Sequence, residues 1–313
     1  MLGLATSHTP LISMGADMWS RHAQIDVNWP GYAERAANPP EWLPAELTED
    51  RFMEKYEASQ RAIEQLGSAL QEAEPDVIIV FGDDQREIFL DDGNPTFALY
   101  CGDKLPNAPV DLSSWSVSRQ AGAWAQQGEE TEIYESRADL ASHLGGALAR
   151  SDFDITVLKE LPEGRSLGHA FGFIPRRLKP RGQWSMLPFW INTYYPPNQP
   201  SARRCFNLGE SVARALREWP GNERIAIVAS GGLSHFFVDE ELDRTVLAAI
   251  AASDGEALSR IPSDSLQSGS SEILCWIAAS GALQHLNVSS EVYVPSYRSI
   301  AGSGVGCGFV IWS

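Results

Sequence analysis

Asp76-Val77-Ile78-Ile79-Val80-Phe81-Gly82-Asp83-Asp84-Gln85 is the stretch that decides the fold. Residues 77–81 are apolar without a break, and four of the five are β-branched. A half-exposed strand would alternate, so this run reads as a strand covered on both sides. It then stops abruptly at a glycine and three polar residues. The same design recurs at 225–229 (IAIVA), which runs into Ser230-Gly231-Gly232-Leu233-Ser234-His235, and at 187–191, which runs into Asn192-Thr193-Tyr194-Tyr195-Pro196-Pro197. Residues 2–6 form a shorter version ending at Ser7-His8.

Helical spacing fills the intervals. From Phe52, apolar or small residues fall at Tyr56, Ser59, Ile63, Leu66 and Leu70, in steps of three and four. Leu140, Leu144 and Leu148 mark a second helix, and Cys205, Leu208, Val212, Leu216 and Trp219 a third. Leu242, Val246 and Ile250 mark a fourth, and 272–283 a fifth. Further strands are expected at 97–100, 155–158, 292–294 and 309–312. This alternation predicts an α/β fold, a three-layer α/β/α domain with a mostly parallel or mixed central sheet. No linker or repeat divides the chain, so residues 1–313 read as one domain. Residues 14–48, irregular and rich in Trp and Pro, read as a covering excursion.

Composition narrows the partners. The 313 residues carry 24 Lys plus Arg against 41 Asp plus Glu, a net charge of −17. That argues against nucleic acid or an anionic membrane as the main partner. A small anionic ligand held by local arginines remains compatible. No apolar run reaches the roughly 20 residues of a membrane span, and the first fifteen residues lack the basic start of a signal peptide. Cys101, Cys205, Cys275 and Cys307 form no CxxC pair. They read as thiols of a reducing compartment, and a cytoplasmic location is expected.

In folds of this class, polar residues just past the carboxyl ends of the strands build the site. His8, the Asp83–Gln85 turn and His235 occupy three such ends. A histidine at a strand end can offer a ring nitrogen to a metal. His235 suits general acid–base work, because imidazole titrates near neutrality. The neighbouring Ser234 lacks the GxSxG spacing of a serine nucleophile. Asp83, Asp84 and Gln85 can bind metal or cap a turn; if the strand geometry persists, Asp83 and Gln85 share a face. His169, in Gly168-His169-Ala170-Phe171-Gly172-Phe173, can line a pocket or sit in a packed turn. Glu272 stands near a helix start, where a carboxylate suits the helix dipole as well as a ligand role. His143 and His285 read as helix-surface or cap residues, and the role of His22 is open. Glycines 302, 304, 306 and 308 miss the dinucleotide-binding register and precede a strand, which excludes a nucleotide loop there.

In order, SHTP, DVIIVFGDDQ, GHAFGF, NTYYPPNQP, IAIVASGGLSHF and GSSEILCWIAASGAL resemble the class III extradiol ring-cleavage dioxygenases, typified by the catalytic subunit of protocatechuate 4,5-dioxygenase. GDDQRE, NTYYPPNQP and SGGLSHFFVDEELDR look most like the branch around 3-O-methylgallate dioxygenase. The resemblance runs from His8 to the last strand. It implies an Fe(II) cofactor, no organic cofactor, and cleavage of a catechol-type aromatic acid such as 3-O-methylgallate, gallate or protocatechuate by O₂. It places the metal ligands on His8 and Glu272, the non-ligand catalytic histidine on His235, and a further histidine near the substrate on His169. The family's second ligand histidine ends an Asn-Asp-His triplet. Here the triplet is Asp83-Asp84-Gln85, so Gln85 holds the ligand position.

Three readings of that departure follow: Gln85 ligates, a neighbouring aspartate replaces it, or the site is degenerate and the chain a pseudoenzyme or non-catalytic subunit. A metal-dependent hydrolase on the same groups is a further alternative. Candidate pocket residues are Tyr194, Tyr195, Arg203, Arg204 and Phe171. No small covering subunit is encoded in the chain, so a self-sufficient homo-oligomer, a dimer, is expected.

Overall fold

A computed structural model describes residues 1–313. The strands are β1 (Leu2–Thr6), β2 (Val77–Asp83), β3 (Phe97–Tyr100), β4 (Lys104–Asn107), β5 (Glu132–Glu135) and β6 (Thr156–Leu158). They continue with β7 (Ser185–Ile191), β8 (Ile225–Ser230), β9 (His235–Phe237), β10 (Val288–Tyr297) and β11 (Ser303–Trp312). The main sheet runs β10-β11-β1-β8-β2-β7-β3-β6, with β9 paired to β11; β4 and β5 form a separate antiparallel pair. β1, β8, β2 and β7 are mutually parallel. β11 runs against β1 and β10, and β3 runs against β7 while lying parallel to β6, so the sheet is mixed.

The unbroken apolar run of β2 has the expected cause. Val77, Ile79 and Phe81 enter one core layer, while Ile78 and Val80 enter the other. β8 divides in the same way, Ile225, Ile227 and Ala229 against Ala226 and Val228. Helices Ala138–Ala149, Ala202–Glu218 and Ile273–Leu283 cover the first face. Helix Glu49–Ala73 covers the second, through Ala62, Ile63, Leu66 and Leu70. Ile273–Leu283 is buried all round. It lies against Ala202–Glu218 so closely that a Cβ on Gly209 would fall 1.9 Å from the Ala278 carbonyl oxygen.

The glycines at 304, 306 and 308 do not precede the last strand; they lie inside β11. Their neighbours explain them. A Cβ on Gly306 would meet an Asp243 carboxylate oxygen at 1.9 Å, and one on Gly308 would meet Leu233 and Trp276 at 2.8 Å. Residues 14–48 form short helical turns across one end of the sheet. Asp26 there is buried and bonded to Arg298 by two contacts, Oδ2 to Nε at 2.7 Å and Oδ1 to Nη2 at 2.9 Å. All four cysteines are buried and free, and no helix is long and apolar enough to cross a membrane.

Candidate metal centre

Because β1, β8, β2 and β7 are parallel, their carboxyl ends share one edge of the sheet. Thr6 is in register with Ser230, and Gly82 with the same Ser230. His8, Asp83 and the 230–235 loop therefore leave the sheet side by side. Helix Ile273–Leu283 brings Glu272 to the same place from its N-terminal end.

His8 is 4% exposed and its ring is oriented from behind. The Ser230 hydroxyl donates its only proton to the Ala170 carbonyl at 2.6 Å. It is left to accept from His8 Nδ1–H at 3.0 Å. That fixes the tautomer in which Nε2 carries a lone pair. Nε2 lies 3.2 Å from Glu272 Oε2 and 3.7 Å from Asp83 Oδ1. Glu272 Oε2 also accepts from the Gly232 backbone N–H at 2.7 Å.

The other Glu272 oxygen, Oε1, accepts from the Tyr194 hydroxyl at 2.5 Å and lies 3.1 Å from His235 Nε2. Gln85 Nε2 approaches the same oxygen at 3.2 Å and the Tyr194 hydroxyl at 3.2 Å. His235 donates Nδ1–H to the Leu233 carbonyl at 2.8 Å, which turns Nε2 toward Glu272. His8, Gln85, His235 and Glu272 thus meet around one carboxylate.

Asp83 and His169 complete the cluster. His169 donates its backbone N–H to Glu87 Oε1 at 2.9 Å, and Nδ1 lies 2.7 Å from Glu87 Oε2. Its Nε2 points to Asp83 Oδ2 at 3.8 Å. Neither Asp83 oxygen nor His169 Nε2 has a hydrogen-bond partner, although all three atoms are buried. The ligand atoms of His8, Asp83 and His169 lie within 4.8 Å of one another.

The electrostatics show what these groups lack. Burial, and then the Glu272 charge, pushes the Asp83 carboxyl well above the carboxylate range. Burial also pushes His8 down. Burial opposes the charge on Glu272 as well, but His235 and His8 together hold it well below the usual carboxylate range. For His169 the burial penalty is outweighed by Glu87 and Asp83, raising it to about 10. Two oxygens and a nitrogen, buried, convergent and unpartnered, fit a divalent cation that takes oxygen and imidazole donors.

Asp84 is committed elsewhere. Its carboxylate accepts the backbone N–H groups of Arg86, Glu87, Ile88 and Phe89 at 2.8–3.2 Å. The strand ends at Asp83, so the alternation that would set Asp83 and Gln85 on one face does not continue. Ser234 is no partner of His235: its hydroxyl donates to Asp243 at 2.7 Å. Arg203 and Arg204, expected in the pocket, stand away from the cluster. Arg203 is exposed and pairs with Glu256 at 3.3 Å, and Arg204 lies over the Phe97 ring. Phe171 is fully buried against Trp190, in the core behind the site.

In front of the cluster lies a cavity of about 310 Å³ whose wall includes His8, Tyr194, His235 and Glu272. His22, Ile25 and Trp29 of the 14–48 segment line its opposite side. His22 is bonded to Ser118 Oγ at 3.0 Å and pushed down to about 3 by burial and by Arg298 and Arg119. Sequence reasoning gave no weight to Ser230, Glu87 or Arg119. The first two act only through histidines that lie far away in sequence, and no local pattern marks them.

The family described as the catalytic LigB subunit of aromatic ring-opening dioxygenase matches residues 38–307. That span takes in Asp83, His169, His235 and Glu272, and begins after His8. A gallate dioxygenase of Pseudomonas putida KT2440 is 34% identical over 101 residues, which is 31% of this chain and 28% of that relative. The shared part is therefore under a third of the relative's length.

Proposed function

Since the chain belongs to the LigB family of aromatic ring-opening dioxygenase catalytic subunits, we propose that it cleaves the ring of a catechol-type aromatic acid with O₂, beside a bound ferrous ion. One observation carries this reading: His8 Nε2, the orphaned Asp83 carboxylate and Glu272 Oε2 converge beside the cavity, with His235 alongside. His8 and Glu272 would hold the ion, and Asp83 or Gln85 would complete the set. Asp83 has the stronger support, since it is the anionic group without a partner. His169 stands next to it. The relative's substrate suggests gallate; 3-O-methylgallate and protocatechuate share its adjacent hydroxyls.

Bound there, the ion would supply Lewis acidity toward the two adjacent hydroxyls and an electron-rich partner for O₂. The chain's own groups do the rest. Leu233 fixes the His235 ring so that Nε2 faces the cavity, where it can take a proton from a substrate hydroxyl and later return it. Glu272 favours the protonated imidazole, since its charge outweighs burial and raises His235. Tyr194, bonded to Glu272 and 3.3 Å from His235 Nε2, orders both groups. Trp29 and Ile25 line the cavity wall opposite the cluster and put apolar surface against the reacting ring.

The test is anaerobic iron loading followed by oxygen uptake with gallate, 3-O-methylgallate and protocatechuate. Uptake matched by loss of the aromatic absorbance is expected. His235→Gln should keep its iron and lose roughly 10²–10⁴-fold in turnover. Iron bound in full with no uptake on any catechol would overturn the reading in favour of a non-catalytic relative.

A further inference from the structure

The cavity in front of the cluster abuts a second one of about 440 Å³, and Gln85, Arg119, Gln126 and His169 line both. Two cations stand on that shared wall: His169, already engaged by Glu87 at 2.7 Å, and Arg119, which makes no ion pair. The Arg119 guanidinium carbon lies over the Trp115 ring, 3.9 Å from the centroid, a cation–π contact that restrains the group. The other arginines of the two cavities are already neutralised. Arg298 is gripped by Asp26, Arg165 by Asp92, and Arg86 pairs with Asp91 at 3.3 Å. Arg119 has no carboxylate partner. His22, held neutral, adds no second charge.

We infer that Arg119 is the carboxylate subsite of this enzyme: it receives the ring carboxylate of an aromatic acid whose diol faces His8 and His235. The inference rests on the aromatic-acid reading given above and names the residue that makes the acid, rather than a plain catechol, the preferred ligand. A guanidinium fork matches a carboxylate bidentately, and stacking on Trp115 lowers the cost of ordering it. In a chain with a net charge of −17, such a local cation is what lets an anionic substrate dwell in the cavity.

The experiment compares protocatechuate with catechol, which has the same diol and no carboxylate. Binding to the full-length, iron-loaded protein is measured anaerobically by calorimetry, and oxygen uptake is measured in parallel. The wild type should prefer protocatechuate by roughly 10–100-fold, the worth of a charge-assisted contact. Arg119→Gln should collapse that ratio toward parity. Arg119→Lys should keep an intermediate ratio, because it retains the charge and loses the fork. Arg203→Gln, on the exposed surface, should keep the wild-type ratio. A wild type without preference, or an Arg119→Gln variant that keeps it, overturns the inference. Preference without oxygen uptake leaves the subsite standing and overturns the ring-cleavage reading instead.

Discussion

Neither oxygen of Asp83 has a donor, while the carboxylate of the very next residue accepts four. Two adjacent aspartates of the same chemistry therefore have opposite tasks. Asp84 shapes the turn, as short polar side chains commonly do, and Asp83 keeps both oxygens free of donors. The account predicts that Asp83→Asn lowers iron affinity at least about tenfold, by equilibrium competition with a chelator. Asp84→Asn should leave that affinity near wild type and lower the unfolding midpoint instead. Equal iron affinity in Asp83→Asn, with a loss in Gln85→Ala, would transfer the ligand role to Gln85. The sequence made His8, Gln85, His235 and Glu272 legible because each sits in a short motif of fixed order. It could not rank Asp83 over Gln85. That ranking depends on where the strand stops and on which carboxylate the turn consumes, and both are tertiary facts. The misplaced arginines have the same origin: Arg203 and Arg204 follow the Tyr194-Tyr195 segment closely in sequence, but a helix carries them to the outer surface.

At the scale of elements, long strands and helices were readable from their periods, since two-sided burial imposes an unbroken apolar run. β4, β5 and β9 were not. They span three or four residues each, too few for a period to show. The loop carrying His235 depends on such a hidden contact. Asp243, on helix Glu240–Ala251, accepts from Ser234 N–H, the Ser234 hydroxyl and the Tyr293 hydroxyl, each at 2.7 Å. Burial outweighs these bonds and raises its carboxyl to about 6, above the ordinary aspartate range. A raised acid stabilises the fold below its unfolded pKa, and that contribution is lost as pH rises through the folded value. The Asp243 contribution to the unfolding free energy should therefore decline between about pH 4 and pH 6 by a few kcal/mol, at ~1.4 kcal/mol per unit. Denaturant titrations across that window should show wild type losing that much stability relative to Asp243→Asn. Parallel profiles would contradict it.

For the molecule as a whole, the cover matters as much as the sheet. Residues 14–48 read from sequence as a covering excursion, and His22, Ile25 and Trp29 of that segment line the cavity. The buried Asp26–Arg298 pair, with Ser303 also donating to Asp26, ties this cover to the turn between β10 and β11. Removing one member strands a buried charge, so Asp26→Ala should cost about 3–5 kcal/mol and admit proteolytic cuts within 14–48. Both are readable by denaturant melts and limited proteolysis, and a loss under about 1 kcal/mol would mean that the pair does not anchor the cover. Composition alone raised the expectation of a cover. It gave no hint of the Asp26–Arg298 anchor, because the two partners lie at opposite ends of the chain.

The central claim is that His8 and Glu272, with a neighbour from the Asp83–Gln85 turn, hold a ferrous ion beside the cavity. An anomalous difference map collected at the iron edge, from crystals of iron-loaded protein, measures it directly. The account predicts one dominant peak within bonding distance of His8 Nε2 and Glu272, with His235 close by and unbonded. A map in which iron sits elsewhere, or leaves this cluster empty while the same preparation consumes oxygen with a catechol, would contradict it.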